Sequence, residues 1–317
     1  MSSIQDIPAL EINNVSYSYR GHWLIDRKEV LKNITLSVAQ GESFGFLGHN
    51  GAGKTTTIKS ILGITKIRNG SINIFNIPNT KVEARALIGY LPEHPYFYDH
   101  LTVNEMLEMY GTLAGIPKSE LKQCCASALD MVKLSGRSKT ALRALSKGLV
   151  QRAGMAQAII ARPKLLILDE PFSGLDPLGR KDFKDLLSEL KSKGTTIFMS
   201  SHILSDVEFL CDRVSIMSKG VIKAIYAVKD IPTLSAARFE LIVEAQEKAS
   251  VILTISAREL HQQNGKLIAV FDDRMQAQHA LKTLSDQGLR IDSFNTIQNS
   301  LEDVFIKLVR FDESAGV

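Results

Sequence analysis

Apolar residues along this chain fall into two rhythms. Leu10-Glu11-Ile12 and Ile34-Thr35-Leu36-Ser37-Val38 alternate apolar with polar, the pattern of strands with one buried face. Ser43-Phe44-Gly45-Phe46-Leu47, Leu165-Leu166-Ile167-Leu168 and Thr195-Thr196-Ile197-Phe198-Met199 are nearly continuous apolar runs of strand length, as expected for strands covered on both faces of a parallel sheet. Gly70–Ile74 reads as a further strand, and Leu87–Leu91 leads into a loop. The 3.6-residue rhythm predicts a helix over Thr57–Leu62 and helical structure from Val103 to Leu142, interrupted at Gly115-Ile116-Pro117 and at Ser135-Gly136. Another helix opens at Ser146, a candidate N-cap, and runs through Ala161.

Beyond Gly220 the character changes. Phe239–Val243, Lys266–Phe271 and Leu289–Phe294 read as strands, Arg274–Gln287 as a helix and Leu301–Val309 as a closing helix. This is the content of a small α+β domain. The division expected is 1–230 and 231–317, with no catalytic grouping of residues in the second part.

Composition sharpens this only a little. With 317 residues and 44% hydrophobic content, two globular domains are the expectation. No apolar run of membrane-spanning length is present, and the first residues show no secretory signal. Three cysteines, two of them adjacent at Cys124 and Cys125, fit neither a zinc spacing nor a disulfide framework, so a reducing compartment is expected. The net charge of +4 is split: residues 1–230 carry 29 basic and 22 acidic side chains, residues 231–317 carry 9 and 12. A mildly basic first part suits a nucleotide or an anionic membrane face but lacks the dense basic stripe of a nucleic-acid binder.

The chemistry is concentrated at the ends of the predicted strands. Gly48-His49-Asn50-Gly51-Ala52-Gly53-Lys54-Thr55-Thr56 has the form G-x-x-x-x-G-K-[ST] between a strand and a helix, a phosphate-binding loop. Its backbone N–H groups and the following helix dipole converge on an anion. Lys54 can bridge the β- and γ-phosphates and the Thr55 hydroxyl can ligate Mg²⁺. The strand at Leu165–Leu168 ends in Asp169-Glu170, two carboxylates that are costly to bury without a cation. In a P-loop fold the first holds Mg²⁺ and the second orients or deprotonates an attacking water. His202 follows Ser200-Ser201 at another strand end; a lone histidine is commonly structural, but this is where open α/β sheets hold ligands, which points to the γ-phosphate. Tyr19 could stack on a base or simply pack on an edge strand. The loop Pro92–His100, with two prolines and three aromatics, is either a docking surface or a pin for the helices after it.

Taken together, the P-loop, Leu145-Ser146-Lys147-Gly148 at a helix start, Leu165–Pro171, Ser173-Gly174-Leu175-Asp176-Pro177 and Ser200-Ser201-His202, in that order, resemble an ATP-binding cassette (ABC) ATPase over nearly all of residues 9–225. The resemblance implies an α/β fold: a P-loop NTPase sheet with an antiparallel β subdomain, a helical subdomain near 92–162, and the C-terminal α+β domain. It further implies that Tyr19 stacks on adenine and that Gly48 to Thr56 holds the phosphates. By the same resemblance, Asp169, Thr55 and Glu93 would serve Mg²⁺, Glu170 would be the general base and His202 the switch histidine. Ser146, Lys147 and Gly148 would reach the γ-phosphate held by a partner subunit. Two positions depart from the commonest pattern: Lys147 stands in the LSGGQ-like signature, and Glu93 takes the usual place of Gln. Both departures, with the Ser300-Leu301-Glu302-Asp303-Val304-Phe305 segment and the added domain, resemble the drug- and polymer-exporter branch.

The function implied is an ATP-hydrolysing subunit, dimeric around two nucleotides, on the cytoplasmic face of a membrane, energising a separate membrane-spanning permease, with no nucleic acid involved. A soluble ABC-type ATPase acting on DNA or ribosomes is the alternative. The DNA-repair type needs long coiled coils, for which the 91 positions from Thr55 to Ser146 leave no heptads. The ribosomal type carries two cassettes, and one is present here. The intact Asp169-Glu170 pair argues against a non-hydrolysing sensor, and no N-K-x-D motif favours GTP.

Overall fold

The computed structural model describes residues 7–20, 27–233, 238–297 and 301–314 and divides the chain into two compact units, Met1–Val228 and Lys229–Val317. In the first unit the elements are, in order, β1 (Leu10–Arg20), β2 (Arg27–Val38), β3 (Ser43–Leu47), α1 (Lys54–Ile61), β4 (Asn69–Ile74), β5 (Ile77–Pro78), α2 (Val82–Arg85), β6 (Ile88–Leu91), α3 (Val103–Leu113) and α4 (Lys118–Met131). They continue with α5 (Lys147–Ile159), β7 (Leu165–Asp169), α6 (Pro177–Ser192), β8 (Thr196–Ser201), α7 (Leu204–Leu210), β9 (Arg213–Ser218) and β10 (Val221–Ala227).

Two sheets form this unit. The strands that read as continuous apolar runs make the centre of a six-stranded sheet of order β10-β9-β3-β8-β7-β6, parallel from β9 to β6 with β10 as an antiparallel edge. β3 and β7 are buried at every position. Phe198 on β8 stacks on Phe44 of β3 with centroids 5.9 Å apart and lies 5.4 Å from Phe46, so large aromatic area locks the two neighbours together. The alternating strands form an antiparallel sheet of order β2-β1-β4-β5, whose inward Leu10, Ile12, Ile34, Leu36, Ile72 and Ile74 share a core with α1 and the parallel sheet.

The first two strands are longer than the alternation predicts. β1 runs through Tyr17 and Tyr19, and β2 begins at Arg27, inside the polar insertion that the sequence carries from Arg20 through Glu29. Register shifts between Ile12 and Val15, and between Val15 and Tyr17, break the period of two and hide the strand. Residues 21–26, the rest of that insertion, lie outside the described residues.

The helical region splits as the Gly115-Ile116-Pro117 break requires. α3 starts on a capping box in which Glu105 N donates to Thr102 Oγ1 and Thr102 N donates to Glu105 Oε2. The tail of the predicted helical stretch, after α4, is short 3₁₀ turns at Ser135–Arg137 and Leu142–Ala144. Asp182 on α6 holds this region from the other side: it accepts from Lys133 Nζ at 2.7 Å and from Arg152 Nη2 at 2.8 Å. All three cysteines are free and buried; burial pushes the Cys125 thiol up to about 11 and Cys211 further still.

The second unit contains β11 (Arg238–Glu244), α8 (Glu247–Ser256), β12 (Glu259–Gln263), β13 (Lys266–Phe271), α9 (Arg274–Asp286), β14 (Ile291–Ile297) and α10 (Leu301–Ser314). Its antiparallel sheet has the order β12-β13-β11-β14, so β11 through β14 form a β-α-β-β-α-β unit of the ferredoxin-like type. Phe239, Leu241, Val243, Leu267, Ala269 and Phe271 face a core closed by Ala249 and Leu253 of α8 and Ala277, Ala280 and Leu284 of α9. Among the described residues no helix is long and apolar enough to cross a membrane.

Candidate functional site

Parallel pairing puts the carboxyl ends of β3, β8 and β7 side by side, and this register builds the site. Leu47 pairs with Ser201, and Ser200 with Asp169. The loop after β3, the acids after β7 and His202 after β8 therefore leave the sheet at one edge, the position where open parallel sheets bind ligands.

The loop from Gly48 to Gly53 turns sharply into α1. A Cβ at Gly48 would sit 2.7 Å from the Met217 carbonyl oxygen, so the backbone passes there only without a side chain. Gly53, the N-cap of α1, has φ +113°, a left-handed conformation that glycine adopts without strain. The first turn of α1 has no acidic residue, leaving its N–H groups and dipole to favour an anion. Lys54 is buried, and its Nζ donates to the Gly48 carbonyl at 2.6 Å, folding the ammonium back over the loop.

Glu170 meets this ammonium from across the site. Its Oε1 lies 3.3 Å from Lys54 Nζ, an ion pair without aligned hydrogen-bond geometry, so that buried oxygen has no hydrogen-bond donor. The other oxygen, Oε2, accepts from the His202 backbone N–H at 3.3 Å and lies 2.7 Å from His202 Nδ1, which is the donating nitrogen when paired with a carboxylate. Glu170 has φ +49°, a strained backbone for a side chain of this size, held by the contacts on both sides. Asp169 is 2% exposed and its Oδ1 accepts from Ser200 Oγ at 2.6 Å. Burial raises the Tyr90 phenol to about 12, and the nearby Asp169 charge adds to the shift.

A cleft of about 230 Å³ opens over these groups, with His49, Asn50, Thr55, Glu93, Glu170 and His202 along its walls. Its oxygen donors near the loop, the Thr55 hydroxyl and the Glu93 carboxylate, are the hard ligands a small dication such as Mg²⁺ takes. Asp169 lies beneath this lining rather than in it. Thr56 is buried beside the loop; its Oγ1 is 3.4 Å from Tyr19 Oη. Tyr19 is 44% exposed and packs edge-on against Tyr17 at 5.0 Å, so its ring stands at the rim instead of within the cleft wall.

Ser146, Lys147 and Gly148 are not in the cleft. Ser146 is the N-cap of α5 by position, yet its side chain makes no capping bond. The Lys147 stem runs over Gly174, close enough that a Cβ there would sit 2.6 Å from Lys147 Cε.

Two contributors escaped the reading of the sequence. Val30 reaches the cleft from β2, which only the packing of the two sheets reveals. Ser200 joins the two acids; the available signal was a hydroxyl inside an apolar strand, which needs a partner once buried.

The family described as ABC transporter matches residues 31–173, and an ATP-binding protein DrrA1-3-like C-terminal domain matches residues 234–309. An ABC transporter ATP-binding protein of Synechocystis is 37% identical over 304 residues, covering 95% of this chain and 84% of its own length. The bacitracin transport ATP-binding protein BcrA of Bacillus licheniformis is 37% identical over 284 residues, covering 87% of this chain and 91% of its own. A solved ATP-binding subunit of an ABC transporter superposes with a TM-score of 0.64 at 33% identity, over 71% of this chain and 92% of that one. A phosphate loop faced by a paired acid and histidine, in a chain with relatives matching it nearly end to end, places the protein in the ABC transporter family as an ATP-binding, ATP-hydrolysing subunit.

Proposed function

We propose that this chain works at the cytoplasmic face of a membrane, where it energises export through a separate membrane-spanning permease. The observation that carries the hydrolytic part is the closed cluster Lys54–Glu170–His202 at the ends of three adjacent strands. Lys54 moves from Glu170 to the phosphates when ATP enters, because a polyanion outcompetes one carboxylate for a buried ammonium. That exchange frees Glu170 Oε1, already without a hydrogen-bond donor, to accept the proton of the attacking water. His202 keeps the other oxygen fixed while this happens. Thr55, Glu93 and Asp169 are the residues that would hold Mg²⁺, which supplies neutralising charge to the phosphates. Tyr19, at the rim beside Thr56, is placed to stack on the base.

Export is supported by the relatives, one named for bacitracin transport and another for linearmycin resistance, and by the match of residues 234–309 to a DrrA-like C-terminal domain. In this reading residues 1–230 are the ATP-binding domain and 231–317 an accessory domain, regulatory or supporting a dimer. Ser146, Lys147 and Gly148 serve the γ-phosphate of a second copy of the chain. Their position outside the cleft and the uncommitted Ser146 side chain support that assignment. The permease contact is the loop Pro92–His100: Phe97 anchors it against Tyr110 at 6.1 Å, while Tyr96 and Tyr98 are 87% and 62% exposed.

Glu170→Gln tests the hydrolytic reading. It should leave ATP binding intact and lower turnover on the order of 10²- to 10⁴-fold in a phosphate-release assay. Turnover near that of the unaltered chain would remove Glu170 as the base.

A further inference from the structure

Serine is an unusual residue for the middle of a parallel sheet, yet Ser200 sits on β8 between β3 and β7 with no exposure at all. A hydroxyl there must find partners or cost the strand its stability. Its partners are the two acids. Ser200 Oγ donates to Asp169 Oδ1 at 2.6 Å and accepts from the backbone N–H of Glu170 at 3.0 Å. A hydroxyl has one proton, and the Glu170 N–H can only donate, so that proton lies on the bond to Asp169. The polarity of the chain Glu170 N–H, Ser200 O–H, Asp169 carboxylate is thereby set.

The neighbouring serine has a different task. Ser201 Oγ accepts from the Ile203 N–H at 2.9 Å and shapes the turn that carries His202. Ser200 instead acts where the backbone is strained. β7 ends at Asp169, and the next residue, Glu170, has φ +49° and gives its N–H to the Ser200 hydroxyl. The register that pairs Ser200 with Asp169 puts a hydroxyl beside that N–H. Alanine or valine at this position would leave a buried N–H and a buried carboxylate oxygen without partners.

We infer that Ser200 is a positioning residue for hydrolysis, holding the Asp169 carboxylate and the left-handed backbone of Glu170 as one unit through a hydroxyl bonded to both. This rests on the proposed roles of Asp169 and Glu170. Ser200 touches no substrate; it acts through the acids.

The test is Ser200→Ala, with Ser200→Thr as the variant that keeps the hydroxyl. Three quantities are read: kcat and KM for ATP, the affinity for a fluorescent ATP analogue in EDTA and in Mg²⁺, and the melting temperature. Ser200→Ala should lower kcat about 10- to 100-fold, as loss of a ligand's supporting hydrogen bond commonly does. Analogue affinity in EDTA should stay within about twofold of the unaltered chain, while the gain on adding Mg²⁺ shrinks, since the defect lies with Asp169. Ser200→Thr should recover most of kcat. In the Glu170→Gln background, Ser200→Ala should reduce the residual turnover by much less than 10-fold, because residues acting as a unit are not additive.

An unchanged kcat and Mg²⁺ gain in Ser200→Ala would overturn the inference. So would a kcat loss of the same factor with and without Glu170, which would mark a general structural defect. If Ser200→Ala melts too low to assay, Ser200→Thr with wild-type melting but unrecovered alanine-like kcat would equally sink it. If Glu170→Gln itself keeps full turnover, the base assignment fails separately, and the Mg²⁺-dependent affinity of Ser200→Ala still decides whether Ser200 positions Asp169.

Discussion

Glu170 carries three constraints in a single residue: an ion pair to Lys54, hydrogen bonds to His202 and a left-handed backbone tied to Ser200. Strain of this kind costs about 1–3 kcal/mol and persists only where surrounding contacts hold it. His202 is the contact whose loss can be read most cleanly, because among the described residues the polar partner of its side chain is Oε2, which its backbone N–H also reaches. His202→Ala should therefore lower turnover about 10- to 100-fold without abolishing it, since the backbone donor remains. ATP affinity should change little, as the loop and Lys54 are untouched. Phosphate release and nucleotide titration check the two halves, and a loss of affinity matching the loss of turnover would show that His202 serves binding instead.

Among the elements, α6 is bonded to the helical region through the side chain of Asp182. Asp176 caps it by accepting from the Gly179 N–H, Pro177 begins it, and Phe183, Leu186, Leu187 and Leu190 are buried along its inner face. Its Asp182 accepts from Lys133 and from Arg152 of α5, and these bonds hold its carboxyl below the usual aspartate value. A carboxyl with a lowered native pKa stabilises the fold fully above the unfolded value near ~4 and loses that contribution as pH falls through the native value below it. Asp182→Asn should thus cost about 1–3 kcal/mol at pH 7, the usual worth of hydrogen bonds to charged groups. The difference from the unaltered chain should narrow as the pH drops below ~4. Urea unfolding at a series of pH values measures it, and a pH-independent difference would assign the effect to packing.

For the whole molecule, the division at Val228 separates a unit holding every described site residue from a ferredoxin-like unit with its own core. A chain ending at Val228 should fold and bind ATP with an affinity within about threefold of the full chain, since the two cores are closed independently. Equilibrium titration with labelled ATP on the purified fragment is the check. A folded fragment that fails to bind ATP would give the second unit a part in the nucleotide site.

Much of this was written locally in the chain. The P-loop, Asp169-Glu170, His202 and the buried strands before them are short segments whose pattern needs only the neighbouring residues, so the strands were legible, and the residues stood out as candidates, without coordinates. Elements set by their neighbours were not. α8 was missed because Ala249 and Leu253 face the core while Val251 and Ile255 are exposed, which leaves no single apolar stripe. β12, with Glu259, His261, Gln262 and Gln263 all exposed, is a strand only by pairing with β13. The same limit holds inside the site. Lys54 and Glu170 meet because β3 and β7 flank β8, and Ser200 bridges the acids because the register pairs it with Asp169. Sequence alone determined which candidate groups this protein offers to a phosphate; strand order and register, which are long-range hydrogen-bonding choices, decided which of those groups touch.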